Sequence, residues 1–250
     1  MRLPRKTFRN AKSALVIAPL LLSGCAGGPQ MPSVSSINIF AGDTKDTTAC
    51  APDRDAFETA VAKARVNKIA AGLAKSVGGS LIEAFLGPQL TSALKTNFSD
   101  TISNLHAAID DDTENLRLVA SSLDTVYDCR RKLSRTLSKD VGAGRMARAD
   151  AEAQVTLMRT VMREDTEAAG KVLGEVQKRT DDLRVATQKA KAEATTTEQK
   201  KQVQETEKAL QSNQNAHSDA KKKVHVVATR QEGTITLGAL FQWIRSIIPV

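Results

Sequence analysis

The chain has 250 residues, a formal net charge of +8 and an isoelectric point of about 9.5. Only 3% of its residues are aromatic, which leaves few side chains on which the bases of a single-stranded nucleic acid could stack. Its three histidines and three cysteines form no spacing typical of a zinc site. This composition argues against nucleic-acid and zinc-binding classes, and we predict no cofactor and no metal.

The first 26 residues carry the features of a secretory signal. A basic segment without acids precedes an apolar run over residues 14–22, which is too short to span a bilayer as a helix. The basic residues are Arg2, Arg5, Lys6, Arg9 and Lys12. The run ends in Leu22-Ser23-Gly24-Cys25, and the whole segment resembles the signal of bacterial lipoproteins. The resemblance implies a signal peptide over residues 1–24 and acylation of Cys25, with palmitate among the attached chains.

This resemblance changes the meaning of the net charge. Cleavage before Cys25 removes 24 of the 250 residues and five basic side chains, which leaves 226 residues and a charge of +3 (+8 less 5). A domain with so little excess charge is not expected to bind nucleic acid. In the resembled family an aspartate after the cysteine commonly signals retention in the inner membrane. Ala26 therefore implies the outer membrane, at its periplasmic face.

Residues 25–49 are predicted to be a lipidated tether, because they are rich in Gly, Pro, Ser and Thr. Apart from Cys25, the chain has one further pair of cysteines, Cys50 and Cys129. If the protein is exported, this pair lies in an oxidising compartment. We predict a disulfide bond between them.

Apolar residues at three- and four-residue steps predict an all-α domain over residues 50–232. The expected architecture is an elongated up-down bundle or a set of hairpins resembling coiled coils. Gly87-Pro88, Gly142-Ala143-Gly144 and a run of threonines separate the helices. The four predicted helices span residues 53–86, 90–141, 147–194 and 198–230, with a break left open at Asp110-Asp111-Asp112.

Two features of the first predicted helix bear on its surroundings. Gly72, Ser76, Ser80 and Ala84 repeat every four residues, which favours a close helix contact inside the bundle; a membrane-active helix is the alternative. An antiparallel hairpin about Gly87-Pro88 places Cys50 level with residue 125, within about one helical turn of Cys129. The predicted hairpin and the predicted disulfide are therefore compatible.

Two segments are candidates for surface contacts. The basic end of the second and third predicted helices is expected either to meet an anionic surface or to be a solvated hairpin with ordinary helix-end charges. Its residues are Arg130, Arg131, Lys132, Arg135, Lys139, Arg145 and Arg148. Residues 233–250 predict a short amphipathic helix that covers the bundle, binds a membrane or binds a partner. Its contact residues are Leu240, Phe241, Trp243, Ile244 and Ile247.

No stretch of the sequence predicts an active site. Gly142-Ala143-Gly144-Arg145-Met146-Ala147 fits a dinucleotide-binding pattern by letter, but it follows a helix instead of a strand. We therefore predict a non-enzymatic envelope lipoprotein that acts as a structural or adaptor component, with an envelope protein as partner and self-association through its helices. A membrane-perturbing or pore-forming helical protein is the alternative, and an enzyme with an unrecognised site is the third reading.

Overall fold

The structure is a computed structural model in which residues 44–76 and 78–234 are described. All of them belong to one compact unit, Asn38–Val250. The described residues form helices and no strand, as the all-α prediction requires. The helices are α1 (Ala51–Arg65), α2 (Lys68–Ser76), α3 (Leu81–Leu86), α4 (Pro88–Thr96), α5 (Phe98–Gly142), α6 (Arg148–Glu193) and α7 (Thr197–Thr234).

The three long helices α5, α6 and α7 form the body of the bundle. α6 runs antiparallel to α5, and α7 then returns parallel to α5. Gln202 of α7 donates to Ser99 near one end of α5, and farther along the Nζ of Lys223 lies 3.4 Å from the Oδ2 of Asp124. Their short connections are typical of up-down bundles. The bounds of α6 and α7 agree closely with the third and fourth predicted helices.

The short helix α1 packs against α5 and α6. Its buried residues Phe57, Val61 and Ala64 join the apolar side chains of the long helices in one core cluster. α1 is antiparallel to α5, because Cys50 meets Cys129 at one end and Asn67 bonds to the carbonyl oxygen of Ala108 at the other. The predicted antiparallel hairpin of these segments is confirmed.

The first predicted helix is wrong as a continuous element. α1 ends at Arg65, and Asn67 caps α2: its Oδ1 accepts from the backbone N–H of Ala70, while its Nδ2 donates to α5. Gly78 then takes a φ of +81°, which favours glycine, and Ser80 begins α3 with a capping box. The four-residue ridge of small residues is therefore divided between α2 and α3. It does not form one helical face.

The second predicted helix is also interrupted, but at a different place. The break lies at Asn97, between α4 and α5, where φ is −146° and the side chain bonds to Asp100. Asp110-Asp111-Asp112 lies inside α5 without a break. Asp112 lies on the inner face of α5, where it pairs with Arg179 of α6.

The core extends beyond α1 along α5 and α6. Leu137, Ala151, Val155 and Met158 form a separate buried cluster between these two helices. We call residues 131–163 the hairpin end; it contains the last turns of α5, the connection, and the first turns of α6. Among the described residues, no helix combines the length and the apolarity needed to cross a bilayer.

Candidate functional site

The disulfide Cys50–Cys129 links the residue before α1 covalently to α5. Its sulfur atoms lie 2.09 Å apart and its Cα atoms 5.9 Å apart, so the predicted bond is confirmed. It joins the residue before α1 to the middle of α5, across 79 positions of sequence. Cys50 is fully buried, and Thr48 accepts a hydrogen bond from its backbone N–H.

A cluster of buried charges lies beside the disulfide. Arg130 is 0% exposed, and its two Nη atoms bind Asp46 at 2.9 Å and Asp165 at 2.7 Å. Arg54 of α1 binds the other oxygen of Asp165 at 3.0 Å and reaches Glu164 at 3.3 Å. We call these five residues the Arg130 cluster. It ties together the segment before α1, α1 itself, α5 and α6.

The environment affects the two aspartates of the Arg130 cluster differently. Burial raises the pKa of Asp46, but hydrogen bonds from Thr48 and Arg130 outweigh it, so the pKa lies below its ordinary value. Burial also raises the pKa of Asp165, and there the attraction of Arg130 and Arg54 does not fully compensate. The Nε of Arg130 is buried without a hydrogen-bond partner among the described residues.

The position of the Arg130 cluster corrects two predictions. Arg130 was expected at an anionic surface, but it is in the core because its position on α5 faces inward, where Asp46 and Asp165 bind it. Residues 44–49 were assigned to the tether, yet Asp46 is buried and Thr44 donates to Glu164 at 2.7 Å. The last part of the predicted tether is therefore part of the folded domain.

A second buried ion pair joins α5 to α6 near the other end of α1. Arg179 binds both oxygens of Asp112, with its Nε at 2.8 Å from Oδ2 and its Nη2 at 2.6 Å from Oδ1. The same Nη2 donates to the carbonyl oxygen of Ala64 at 2.8 Å. This contact satisfies a carbonyl in the last turn of α1, where a cation is also favoured by the helix dipole.

The sequence contained a signal for the Asp112–Arg179 pair that the prediction did not use. Each long apolar stripe has steps of seven residues in which the middle position is charged. Asp112 stands between Ile109 and Leu116, and Arg179 stands between Val176 and Leu183. A charge on the inner face of an otherwise apolar stripe requires a buried partner, because an unpaired charge there is costly.

The hairpin end contains the other six predicted basic residues. Lys132, Arg135, Lys139, Arg145 and Arg148 are exposed, whereas Arg131 is half-buried beside Asp128 at 3.1 Å. Two of the exposed arginines have acidic neighbours: Arg145 binds Asp140 at 2.5 Å, and Arg148 binds Glu152 at 2.7 Å. The remaining three cations of this group lie on α5.

Two grooves follow the contact between α5 and α7. The larger, of about 500 Å³, has Leu118 and Ala216 among its lining residues and Glu114, Asp219 and Lys223 at its rim. The smaller, of about 320 Å³, includes His106, Asp110 and Thr206. Both are open surface grooves between two helices.

The smaller groove holds a hydroxyl, an imidazole and a carboxylate, the three groups of a nucleophile–base–acid triad; these belong to Thr206, His106 and Asp110. His106 lies 3.2 Å from Asp110 through its Nε2, but its Nδ1 is 3.5 Å from the Thr206 hydroxyl. That hydroxyl donates its proton to the carbonyl oxygen of Gln202 at 3.0 Å, and Thr206 is buried. Thr206 is thus bonded back to its own helix and is not activated by His106 in this geometry.

Other predicted contact residues fall outside the part of the chain that the structure describes. These are Cys25 and the C-terminal residues Leu240, Phe241, Trp243, Ile244 and Ile247. Within the described residues, no group of three His, Cys, Asp or Glu side chains is arranged to hold a metal ion. No protein-family model, curated protein or solved structure matches the chain. Any functional inference must therefore start from the chain's own residues.

Proposed function

We propose that the protein is a lipoprotein of the bacterial cell envelope. In this proposal Cys25 is acylated and holds the chain at the periplasmic face of the outer membrane, and the helical bundle is a structural or adaptor component that contacts other envelope proteins. The observation that supports it best is the buried disulfide Cys50–Cys129. Structural disulfides persist mainly in exported proteins, and this argument does not depend on the signal segment.

The packing around the disulfide adds a mechanical argument. Asp46, Cys50 and Arg54 each make a buried contact with α5 or α6, so the chain that leads to Cys25 is fixed to the long helices and not only to α1. From Cys25 to Thr44 there are 19 residues (44 less 25), which span at most about 65 Å. A lipid anchor at Cys25 would therefore hold a rigid body within a limited distance of the membrane.

The anchor is tested by metabolic labelling in cells. Wild-type protein is expected to incorporate labelled palmitate and to fractionate with the outer membrane, whereas Cys25→Ala loses the label. A Cys50→Ala variant is the matched control, because it removes a cysteine outside the signal and should keep the label. Equal labelling of wild type and Cys25→Ala would contradict the lipid anchor.

The adaptor role is tested by site-specific photocrosslinking in intact cells. Leu118 is the best position for the probe, since it is an apolar side chain 38% exposed in the larger groove between α5 and α7. Glu167, exposed on α6, is the control position. We expect a discrete adduct of higher mass at Leu118 and none at Glu167. The same pattern of adducts at both positions, or none at either, would argue against a defined partner at this groove.

Self-association through α6 and α7 belongs to the same proposal. Size-exclusion chromatography with light scattering on the purified chain measures it directly. A mass that stays monomeric over the accessible concentration range would leave the adaptor role to contacts with other proteins alone.

A further inference from the structure

The positive charge of the mature chain is concentrated in the hairpin end. Residues 131–163 contain eight basic side chains and three acidic ones, a net charge of +5. Because the chain from Cys25 onward carries +3, the rest of it has a net charge of −2 (+3 less 5). The hairpin end is therefore a basic region on an otherwise slightly acidic protein. Its basic residues are Arg131, Lys132, Arg135, Lys139, Arg145, Arg148, Arg159 and Arg163.

Three of these cations share one face of α5. Lys132, Arg135 and Lys139 follow steps of three and four residues and are exposed, whereas Ser134 and Leu137 between them face the core. In the described part of the chain, no carboxylate lies within ion-pair distance of these three cations. Their charges are thus available to an external anion.

Helix-end electrostatics does not account for this face. Lys139 lies in the last turn of α5, where the helix dipole favours a cation. Lys132 and Arg135 lie two to three turns from the end of α5 at Gly142, and the dipole effect falls off within one turn. The two residues also have no local acidic partner. A solvated helical hairpin therefore explains one of the three cations and leaves the other two unexplained.

The N-terminal segment meets the bundle at the base of the hairpin end. Thr44 donates to Glu164, and Asp46 binds Arg130, so the two contacts adjoin the last and the first residue of the hairpin end. From there, the last 12 residues of α5 extend about 18 Å farther. The 19 residue-to-residue steps from Cys25 to Thr44 (44 less 25) are enough to let the hairpin end reach the membrane that holds Cys25.

We propose that the hairpin end, through Lys132, Arg135 and Lys139, binds the phosphate groups of an anionic lipid surface. The site is compatible with the anchor, because a basic patch close to a lipidated residue is a common additional contact with an anionic membrane. That the hairpin end meets the membrane which holds Cys25 rests on the proposed lipid anchor. Its binding to phosphate groups does not depend on that anchor.

The test uses the mature chain, residues 25–250, with Cys25→Ala so that no acyl chain contributes. Binding is measured by co-sedimentation with vesicles of phosphatidylcholine alone and with vesicles containing about 30% phosphatidylglycerol. The test variant is Lys132→Gln, Arg135→Gln and Lys139→Gln. The matched control is Lys200→Gln, Lys201→Gln and Lys208→Gln, which removes three exposed cations from the start of α7. Glutamine keeps the helix propensity in both variants, and circular dichroism checks the fold.

We expect wild type to bind the anionic vesicles only, and to be released as salt screens the charges. Each cation close to an anionic membrane contributes about fivefold to binding, so the hairpin variant should lose at least about tenfold, and up to about 100-fold. The control variant should lose less than about twofold, because its cations lie near the opposite end of α5.

Three results would overturn the proposal. Equal binding to neutral and anionic vesicles would assign the binding to apolar insertion, for which the predicted amphipathic segment 233–250 is the candidate. Equal losses of binding in the two variants would assign it to the net charge of the protein alone. Release by inorganic phosphate, but not by chloride at the same ionic strength, would point to a site for the free ion. Because the protein tested carries no lipid, each of these results leaves the palmitate labelling of Cys25 unaffected.

Discussion

Removal of the disulfide gives the most quantitative test of the fold. We consider Cys50→Ala combined with Cys129→Ala in the mature chain with Cys25→Ala. Alanine is small and apolar, so it leaves no buried polar group in place of the bond. The contacts of Phe57 and Val61 with α5 and α6, and those of the Arg130 cluster, remain available to hold α1 in place. The native structure should therefore persist, and most of the effect should come from the unfolded chain.

The magnitude follows from the length of the closed loop. The bond spans 79 positions, and the chain-entropy model then gives a stabilisation of about 4.5 kcal/mol at 25 °C. For a protein of this size, each kcal/mol changes the melting temperature by about 2–4 °C. Removal of the bond should therefore lower the melting temperature by roughly 9–18 °C.

The assay is urea unfolding followed by circular dichroism at 222 nm, a standard measure of helix content. The double variant should unfold at lower urea, and its m-value should increase because the uncrosslinked unfolded chain exposes more surface. Wild type in the presence of a reductant is the control and should behave like the double variant. Free thiols at both positions in exported protein, or a loss of stability below about 1 kcal/mol, would refute the reasoning from loop length.

Three further predictions concern the buried charges and the hairpin end. Asp46→Asn should destabilise the protein by about 1–3 kcal/mol at pH 7 and by less as the pH falls toward about 3. The reason is that the pKa of Asp46 is lowered in the folded protein. The charged carboxylate therefore contributes stability above the unfolded-state pKa, and this contribution is lost as the pH falls through the folded-state pKa. Urea titrations at both pH values measure the difference, with the exposed Asp219→Asn as a control that should show almost none. Arg179→Leu should lower the free energy of unfolding by about 3–5 kcal/mol, because it leaves the buried carboxylate of Asp112 unpaired. The double variant Arg179→Leu with Asp112→Leu should recover much of this loss. Equal losses in the two variants would contradict a penalty for the buried, unpaired charge. Amide hydrogen exchange should be faster at residues 134–142 than at residues 105–126. Among the described residues, the core cluster at 134–142 contains side chains of α5 and α6 alone, whereas α1, α6 and α7 all pack around 105–126. Equal protection would mean that the two regions open together.

The helical bundle could be predicted because its main signal is repetitive. Apolar residues at three- and four-residue steps continue through both α5 and α6, and glycines mark the connection between these helices. The disulfide could be predicted for a different reason: only two cysteines remained, and the export signal implied an oxidising compartment. Agreement between helix register and cysteine positions then fixed the direction of α1 relative to α5.

The breaks between α1 and α4 show where a single sequence is less informative. Ser80 and Glu83 form a capping box whose spacing is visible in the sequence, so the start of α3 could have been predicted. Asn67 is different, because its side chain caps α2 and also donates to Ala108, a residue of a distant helix. Such a bond depends on the tertiary fold, and helix periodicity alone does not reveal it.

The burial of Arg130 was missed because the prediction treated all basic residues between 130 and 148 as one surface. Arg130 is separated from the other members by its place on the inner face of α5, four residues after the buried Val126. The same helical spacing that identifies core leucines also identifies this arginine as a core residue. Position on the helix, and not residue type, distinguishes a structural arginine from the exposed cations that begin at Lys132.

The buried ion pairs also explain how residues 44–50 and the hairpin end keep a fixed relation. An apolar stripe alone tolerates sliding of one helix along another, whereas a slipped register would leave Arg130 and Arg179 buried without partners. Both pairs extend to α1, through Arg54 at its start and through the Ala64 carbonyl at its end. Since α1 directly follows the segment that leads to Cys25, the same charges that set the register of α5 and α6 determine where that segment leaves the bundle. The exit beside the hairpin end is thus a consequence of core packing, and a change at Asp46 or Arg54 should disturb it before it disturbs the packing of α5 on α6.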